Sequence, residues 1–513
     1  MRCKQRTVIA AGLTICVLLN ACTSMQPKPY SEEDSRSRIL ADQASMYSAQ
    51  EPVKGPITFE EAAARALKYN LDYRLKLMES ALAADLRDVS SHEMLPRVVA
   101  SAGYAGRNND SGGTSIGIED RQESLRASTS EERYRTLYGL GLSWSLLDFG
   151  VAYFRSQQKA DQIYMAEERR RKVAQNVLQD VRNAYWRAVG AQRLMPQVNR
   201  LLLRTHSALS AARNAEEQGL LPRQEILAYQ RALLDSIYLM TVRHQDLQFA
   251  QAELAALMSL PPGTNMVLAD TAEPVLPILN GDIGRLERLA MENRPEIKEE
   301  WYRKRVSQAD LSIAKAQLWP NVSVDFGYKH DSNAYLYNNG WTDTGLQVSM
   351  NLLRLLQLPA LNRTQESQAA TDDARRVALS MAILTQVRVG ALRYDLARRE
   401  VAFTEESLSV DNQLLSFARA ARTTNVGSEL ELIRAEGRYL LSRYQREAAY
   451  SSAQAAWGRL YNSVGLDILP EQIANSDIKT LAAEIRTTLQ KQEQHNLLTL
   501  AHGANDETIA PKP

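Results

Sequence analysis

Cysteine is nearly missing from this chain. Its 513 residues hold three, at positions 3, 16 and 22. No internal disulfide can brace anything beyond that first segment. A surplus of one charge is missing as well. Lys+Arg number 61 against 60 Asp+Glu, a net charge of +1. A nucleic-acid binder carries a basic face, so no nucleic acid is expected as a partner. Aromatic residues make up 7%, few for a thick globular core. Past Leu19 no run approaches the ~18 continuous apolar residues of a membrane helix. If the rest of the chain spans a membrane, it must do so with strands.

Catalytic constellations are missing too. The six histidines, His92, His206, His244, His330, His495 and His502, are scattered. None shows the paired spacing of metal ligands, so no metal is expected. Gly139-Leu-Gly-Leu lies inside a strand pattern and lacks the third glycine of a dinucleotide loop. There is no phosphate-binding loop and no G-x-S-x-G. Runs such as Glu167-Glu168-Arg169-Arg170-Arg171 read as solvated helix faces. Nothing supports an enzyme, and no cofactor is expected.

What is present begins at the N-terminus. Arg2, Lys4 and Arg6 precede an apolar stretch from Val8 to Leu19, the pattern of an export signal. Leu19-Asn20-Ala21-Cys22 has the form of a bacterial lipobox and predicts a lipidated Cys22. Ordinary cleavage at a small-residue site is the alternative. Residues 22–57 are polar, with Pro27, Pro29, Pro52 and Pro56, and read as an extended lead.

The centre of the sequence is Gly139 to Gly150. Leu140, Leu142, Trp144 and Leu146 alternate with glycine and serine, as in a strand with one apolar face. A helical pattern of about 68 residues follows. Its seam runs Val177, Val181, Ala184, Ala188, Ala191, Met195, Val198, Leu202, Thr205, Leu209, Ala212. Those steps of four and three form a heptad. Pro196 inside it predicts a kink. The event recurs at Gly345, where Leu346, Val348, Met350 and Leu352 alternate with polar residues. Two more strands follow Pro96 and Pro320, with Val98, Ala100, Ala102 and Tyr104, and Val322, Val324, Phe326 and Tyr328.

These pairs are one internal repeat. Gly139/Gly345 and Glu225/Glu431 are 206 apart, and Pro96/Pro320 and Tyr104/Tyr328 are 224 apart. The difference, 224 − 206 = 18, falls in the loop between paired strands. The reading is therefore a signal peptide (1–21), a lipidated extended segment (22–57), repeats at 58–281 and 282–469, and a polar tail (470–513). The tail is expected to hold one helix near 477–490 and to end disordered. In each repeat the short helices before and after the long one add up to its length. Each repeat thus makes a long column beside two stacked short helices, with strands at one end and turns at the other.

Four strands cannot close a barrel, for which about eight are needed, and open edges are not tolerated in lipid. The chain must oligomerise, with the apolar strand face toward lipid. Tyr104, Tyr138, Tyr328 and Trp341 near strand ends suit an aromatic girdle. A soluble sandwich is the alternative.

Lipobox, duplicated helix–Pro–strand–loop–strand–long-helix order and paired turns together resemble the TolC-like outer-membrane factor family over residues 57–470. The resemblance implies a mainly α fold with a small membrane β part. It implies a trimer that closes a 12-stranded β-barrel in the outer membrane above a coiled-coil α-helical barrel in the periplasm. It implies an exit duct for drug or solute efflux or type I secretion, with a periplasmic adaptor and an inner-membrane transporter as partners. A structural coiled-coil lipoprotein and a passive porin are the alternatives. Gly219-Leu-Leu-Pro222-Arg-Gln224-Glu225-Ile226 and Gly427-Ser428-Glu429-Leu-Glu431-Leu-Ile-Arg434 look like the family's tip turns. Ser428 with Glu431 makes a capping box, and Pro222 suits a first helical position. Inward carboxylates there would form a cation-attracting ring. Glu431 and Arg434 as a plain surface i,i+3 pair is the competing reading.

Overall fold

The computed structural model describes residues 29–47, 50–123, 126–219, 222–261, 263–264, 266–270, 273–279, 282–424, 428–466, 469 and 477–494. The signal segment, Cys22, Gly427 and the end of the tail lie outside the described residues.

The described residues up to Pro52 form a unit of their own. It was expected to be extended, yet Glu32–Tyr47 is a helix, α1. Ser31 explains the start. Its hydroxyl accepts from the Asp34 amide at 3.1 Å, and its own amide donates to the Asp34 carboxylate at 3.3 Å. Glu32, Glu33 and Asp34 fill the first turn, where the helix dipole favours negative charge. The prolines at 29 and 52 flank this helix and do not interrupt it.

The second unit carries the repeat. Its elements are α2 (Phe59–Tyr69), α3 (Leu71–His92), β1 (Arg97–Gly106), β2 (Tyr134–Ser145), α4 (Leu146–Glu217) and α5 (Arg223–Leu257). The order then recurs as α6 (Ile283–Asn293), α7 (Pro295–Ala316), β3 (Asn321–Asp331), β4 (Gly340–Ser349), a 3-10 turn (Leu352–Gln357), α8 (Leu358–Thr423) and α9 (Glu429–Val464). α10 (Ile478–Gln494) follows. Starts of α2/α6, α3/α7 and β1/β3 are 224 residues apart. Starts of β2/β4 and α5/α9, and ends of α4/α8, are 206 apart.

Four boundaries depart from the sequence reading. Each helix before a first strand is two helices, broken at Asn70 and Arg294. Asn70 caps α3 by accepting from the Tyr73 amide at 3.1 Å, and Pro295 starts α7, so both breaks are helix N-termini. Leu146 is the first residue of α4, because the Ser145 hydroxyl accepts from the Asp148 amide at 3.0 Å and ends β2. Met350 lies just past β4, between the strand and the cap residue Asn351.

Helix contacts arrange four columns side by side. The first is α3 with α5, the second α4, the third α7 with α9, and the fourth α8. Every residue of the α4 seam is buried except Met195 and Leu202, which are half-buried. Small residues let the columns approach closely. A Cβ on Gly190 would sit 3.0 Å from the Glu447 Cβ of α9. Pro196 lies on the exposed side of α4 and does not end it, since a carbonyl freed on that face meets water.

The segment joining the repeats is strapped across the middle of the columns. Ile57 and Leu268 form a parallel bridge, and the Gln192 amide bonds both backbone groups of Leu268 at 2.9 and 2.8 Å. Three tyrosines on three columns donate to strap or lead carbonyls: Tyr185 to Ile57 at 3.2 Å, Tyr450 to Pro274 at 2.9 Å and Tyr394 to Pro277 at 2.6 Å. Arg193 and Arg446 both bond Glu273. Burial raises the Glu273 pKa, but hydrogen bonds and charge from Arg446 and Arg193 outweigh it and hold the carboxyl below its ordinary range. α10 adds Ile478, Leu481, Ile485 and Leu489 to the same core as α2.

Removing the clamps without cavities tests the strap. Tyr394→Phe and Tyr450→Phe each leave a carbonyl unsatisfied and should cost about 1 kcal/mol. Amide exchange at Val275, Leu276 and Ile278 should accelerate while the α4 core stays protected. Unchanged exchange in the double variant would mean that the hydroxyls do not hold the strap.

Candidate functional site

Two ends of the second unit carry the residues singled out by sequence. At one end the strands form an antiparallel sheet in the order β1-β2-β3-β4. Directly paired residues share a face. Val98 pairs with Leu142, Ala100 with Leu140, Leu140 with Tyr328, Leu142 with Phe326 and Trp144 with Val324. Val322 pairs with Val348 and Val324 with Leu346. The register therefore puts the predicted residues that lie within the four strands on one apolar face, while Leu146 and Met350 fall outside the strands. Tyr104, Tyr134 and Tyr138 share that face, with Tyr104 stacked on Tyr134 at 6.3 Å.

The opposite face carries Ser101, Gly139, Gly141, Ser143, Ser323, Asp325, Lys329, Asp343 and Gln347, and Lys329 meets Asp343 there at 2.7 Å. Trp341 pairs with Lys329, which puts it on this polar face and not in the aromatic set. Most of both faces is exposed in the single chain. So are β1 and β4 as unpaired edges.

At the other end lie the two helical turns. Gly219 ends α4 at φ +64°, a left-handed conformation that suits glycine. Pro222 is the cap residue of α5, one position earlier than expected, because its carbonyl already accepts from the Ile226 amide at 3.2 Å. Gln224 and Glu225 are exposed on the first turn of α5, and Glu225 forms no ion pair among the described residues. The capping box holds. The Ser428 hydroxyl accepts from the Glu431 amide at 3.1 Å, and the Glu431 carboxylate accepts from the Ser428 amide at 3.0 Å. Glu431 is thus occupied by its own helix end. Arg434 is exposed, and the i,i+3 pair between them does not form.

The structure joins the two hairpins through a residue that the pattern did not mark. Arg204 on α4 bonds Glu429 at 2.7 Å and Glu436 at 3.0 Å, both on α9. Arg422 on α8 reaches Glu429 at 3.3 Å, and Arg419 lies 3.9 Å from Glu436. Further along, Tyr444 of α9 donates to Asp246 of α5 at 3.2 Å. One signal could have found Arg204. Its counterpart 206 residues on is Val410, so this charge breaks the repeat. Among the described residues no His/Cys/Asp/Glu group is placed to hold a metal. No described helix is long and apolar enough to cross a membrane.

Residues 286–466 match the outer membrane efflux protein family. Protein CyaE of Bordetella pertussis is 26% identical over 367 residues, covering 70% of this chain and 73% of that one. The Campylobacter jejuni CmeC outer membrane channel superposes with a TM-score of 0.61 at 12% identity, covering 88% of this chain and 94% of that one. The open state of the Neisseria gonorrhoeae MtrE outer membrane channel gives 0.59 at 16%, covering 80% and 89%. The second repeat carries the outer membrane efflux protein domain, and the chain has the fold of the TolC-like outer-membrane channels.

Proposed function

We propose that three copies of this chain form an outer-membrane exit duct that works with a periplasmic adaptor and an inner-membrane transporter. One observation carries the reading: the sheet and the helical layer both stop at uncovered edges. β1 and β4 are the sheet edges. In the layer, α8 exposes Met381, Leu392, Leu396, Phe403, Val410, Leu414 and Phe417 along one side. At the other end α3 exposes Leu71, Leu75, Met78, Leu82 and Leu86, and α5 exposes Leu227, Leu234 and Tyr238. Two different edges on one chain make a head-to-tail contact, which closes into a ring. Three copies of four strands give about twelve, enough for a barrel with an open interior.

The apolar sheet face then meets outer-membrane lipid and the polar face lines the lumen. Cys22 carries a lipid that adds a second hold on the same membrane. The turns project into the periplasm as tip and gate, formed by Gly219, Pro222, Gln224, Glu225, Gly427, Ser428, Glu429, Glu431 and Arg434. Arg204 extends that set. Its bonds to Glu429 and Glu436 tie one hairpin to the other, so opening requires them to break. Cargo is chosen by the transporter, and either a small solute or a secreted protein suits this duct.

Four measurements bear on the duct. Phe403→Asp with Phe417→Asp should leave a helical chain that no longer forms the larger species in mild detergent. A wild-type protein that is itself a monodisperse monomer would remove the ring. Cys22→Ser should abolish lipid labelling while the strands still insert. Labelling that persists would exclude Cys22 as the lipid attachment site. At the tip, Arg204→Gln should raise the small, flickering bilayer conductance of the closed duct. Cysteines introduced at Gln224 and Ser428 should crosslink neighbouring hairpins and block export until reduced. Complete crosslinking with normal export would show that the tip is not the gate.

A further inference from the structure

An open cavity of about 710 Å³ lies where α4, α8 and α9 meet, far from both the strands and the tip. Three helical stripes line it: Asn176, Gln179 and Asn183 of α4; Gln386, Gly390 and Arg393 of α8; Ser452, Arg459 and Asn462 of α9. Arg294 completes the wall, and no carboxylate among the described residues lines it. Arg294 is already balanced by Glu296 at 2.7 Å. Arg393 and Arg459 are different. Both are exposed into the cavity, and neither has a hydrogen bond or an ion pair among the described residues. Asp180 interacts with Arg459 only through space. Other arginines on these columns hold carboxylate partners: Arg187 with Glu253, Arg388 with Glu287, Arg398 with Asp395 and Arg446 with Glu273. Two guanidinium groups without a carboxylate partner thus face one cavity lined by carboxamides.

The cavity also has a defined side. Tyr450 on α9 and Tyr185 on α4 face the strap. Arg459 lies nine residues after Tyr450, and Asn176 nine residues before Tyr185. Nine residues are about two and a half helical turns, so both point away from the strap. The strap and α10 cover one side of the layer, and the cavity opens on the other. In a closed ring the side free of connecting chain is the lumen.

We propose that this cavity is an anion-binding site on the lumen side of the duct. Its ligand carries two or more carboxylate or phosphate groups, with Arg393 and Arg459 as the charged arms and the carboxamides as orienting donors. Guanidinium forks suit both oxyanions in paired hydrogen bonds. The lumen position rests on the exit-duct reading; the site itself needs only one folded chain.

Calorimetric titration of the purified full-length protein with citrate, and separately with tripolyphosphate, tests the site. At least one should bind, more weakly as salt is raised. Arg393→Gln and Arg459→Gln should each weaken binding by roughly tenfold, and the pair should abolish it. Arg393→Lys with Arg459→Lys should recover part of it. Arg388→Gln, on the strap side, should leave binding unchanged. Citrate alone would assign a carboxylate ligand, tripolyphosphate alone a phosphate ligand. No binding of either anion, or equal binding by the double glutamine variant with its oligomer and helicity intact, overturns the site. Reversal potentials across bilayers test the side: the double glutamine variant should shift toward cations. Loss of binding without that shift would keep the site and reject its lumen position. Crosslinking at the tip tests the duct reading separately.

Discussion

A backbone amide in hydrocarbon has no water to bond, and each one left unpaired costs several kcal/mol. On the proposed reading, that constraint governs the strand end of this protein. Four antiparallel strands leave two edges, β1 and β4, that one chain cannot satisfy. The helical layer repeats the situation with different chemistry. Its first and last columns end in apolar side chains that no other column covers. Both deficits lie at matching ends of the same unit. One head-to-tail contact can therefore remove both, with hydrogen bonds at the strands and hydrophobic burial along the helices.

Between these ends the molecule is held by a buried apolar core and by polar clasps on the strap. Two tyrosines, Gln192 and two arginines pin the strap that joins the repeats, and Tyr185 holds Ile57 of the lead beside it. These bonds are partly screened from water, which gives each more weight than a surface ion pair. They gather on one side of the columns, and the opposite side keeps the polar cavity with Arg393 and Arg459. The layer thus has a covered side and a bare side before any second copy arrives. At the tip the hold is lighter. Arg204 with Glu429 and Glu436 is half-exposed, suited to a contact that breaks and re-forms.

Much of this was legible in the amino-acid sequence because it rests on period and repetition. Alternation at Leu140, Leu142 and Trp144 located β2, and the offsets of 206 and 224 carry over to helix ends as well as to matching residues. The capping box at Ser428 and Glu431 was readable because both partners are local. What escaped depends on distance or on a single bond. The breaks at Asn70 and Arg294 turn on one cap and one proline within an unbroken apolar rhythm. The end of β2 before Leu146 turns on the Ser145 hydroxyl. Helix α1 buries no residue, so hydrophobic period could not reveal it. The tyrosine clamps and the Arg204 bridge join residues far apart in the chain, and no local pattern encodes their pairing.

The pairing of β2 with β3 sets the order in which this chain can mature. Leu137 meets Asp331 and Ser145 meets Ser323, so nearly the whole first repeat and the start of the second must exist before the sheet has its middle. Until then the β1–β2 hairpin is a ribbon with a greasy face and two free edges, a template for misplaced partners. Contacts this remote in sequence form slowly, since the loop between them must close first. Helices α4 and α5 are local and can form at once. On the proposed reading, the newly exported chain is a helical hairpin carrying an unfinished strand pair, and delivery to the bilayer must outpace the association of that pair with others.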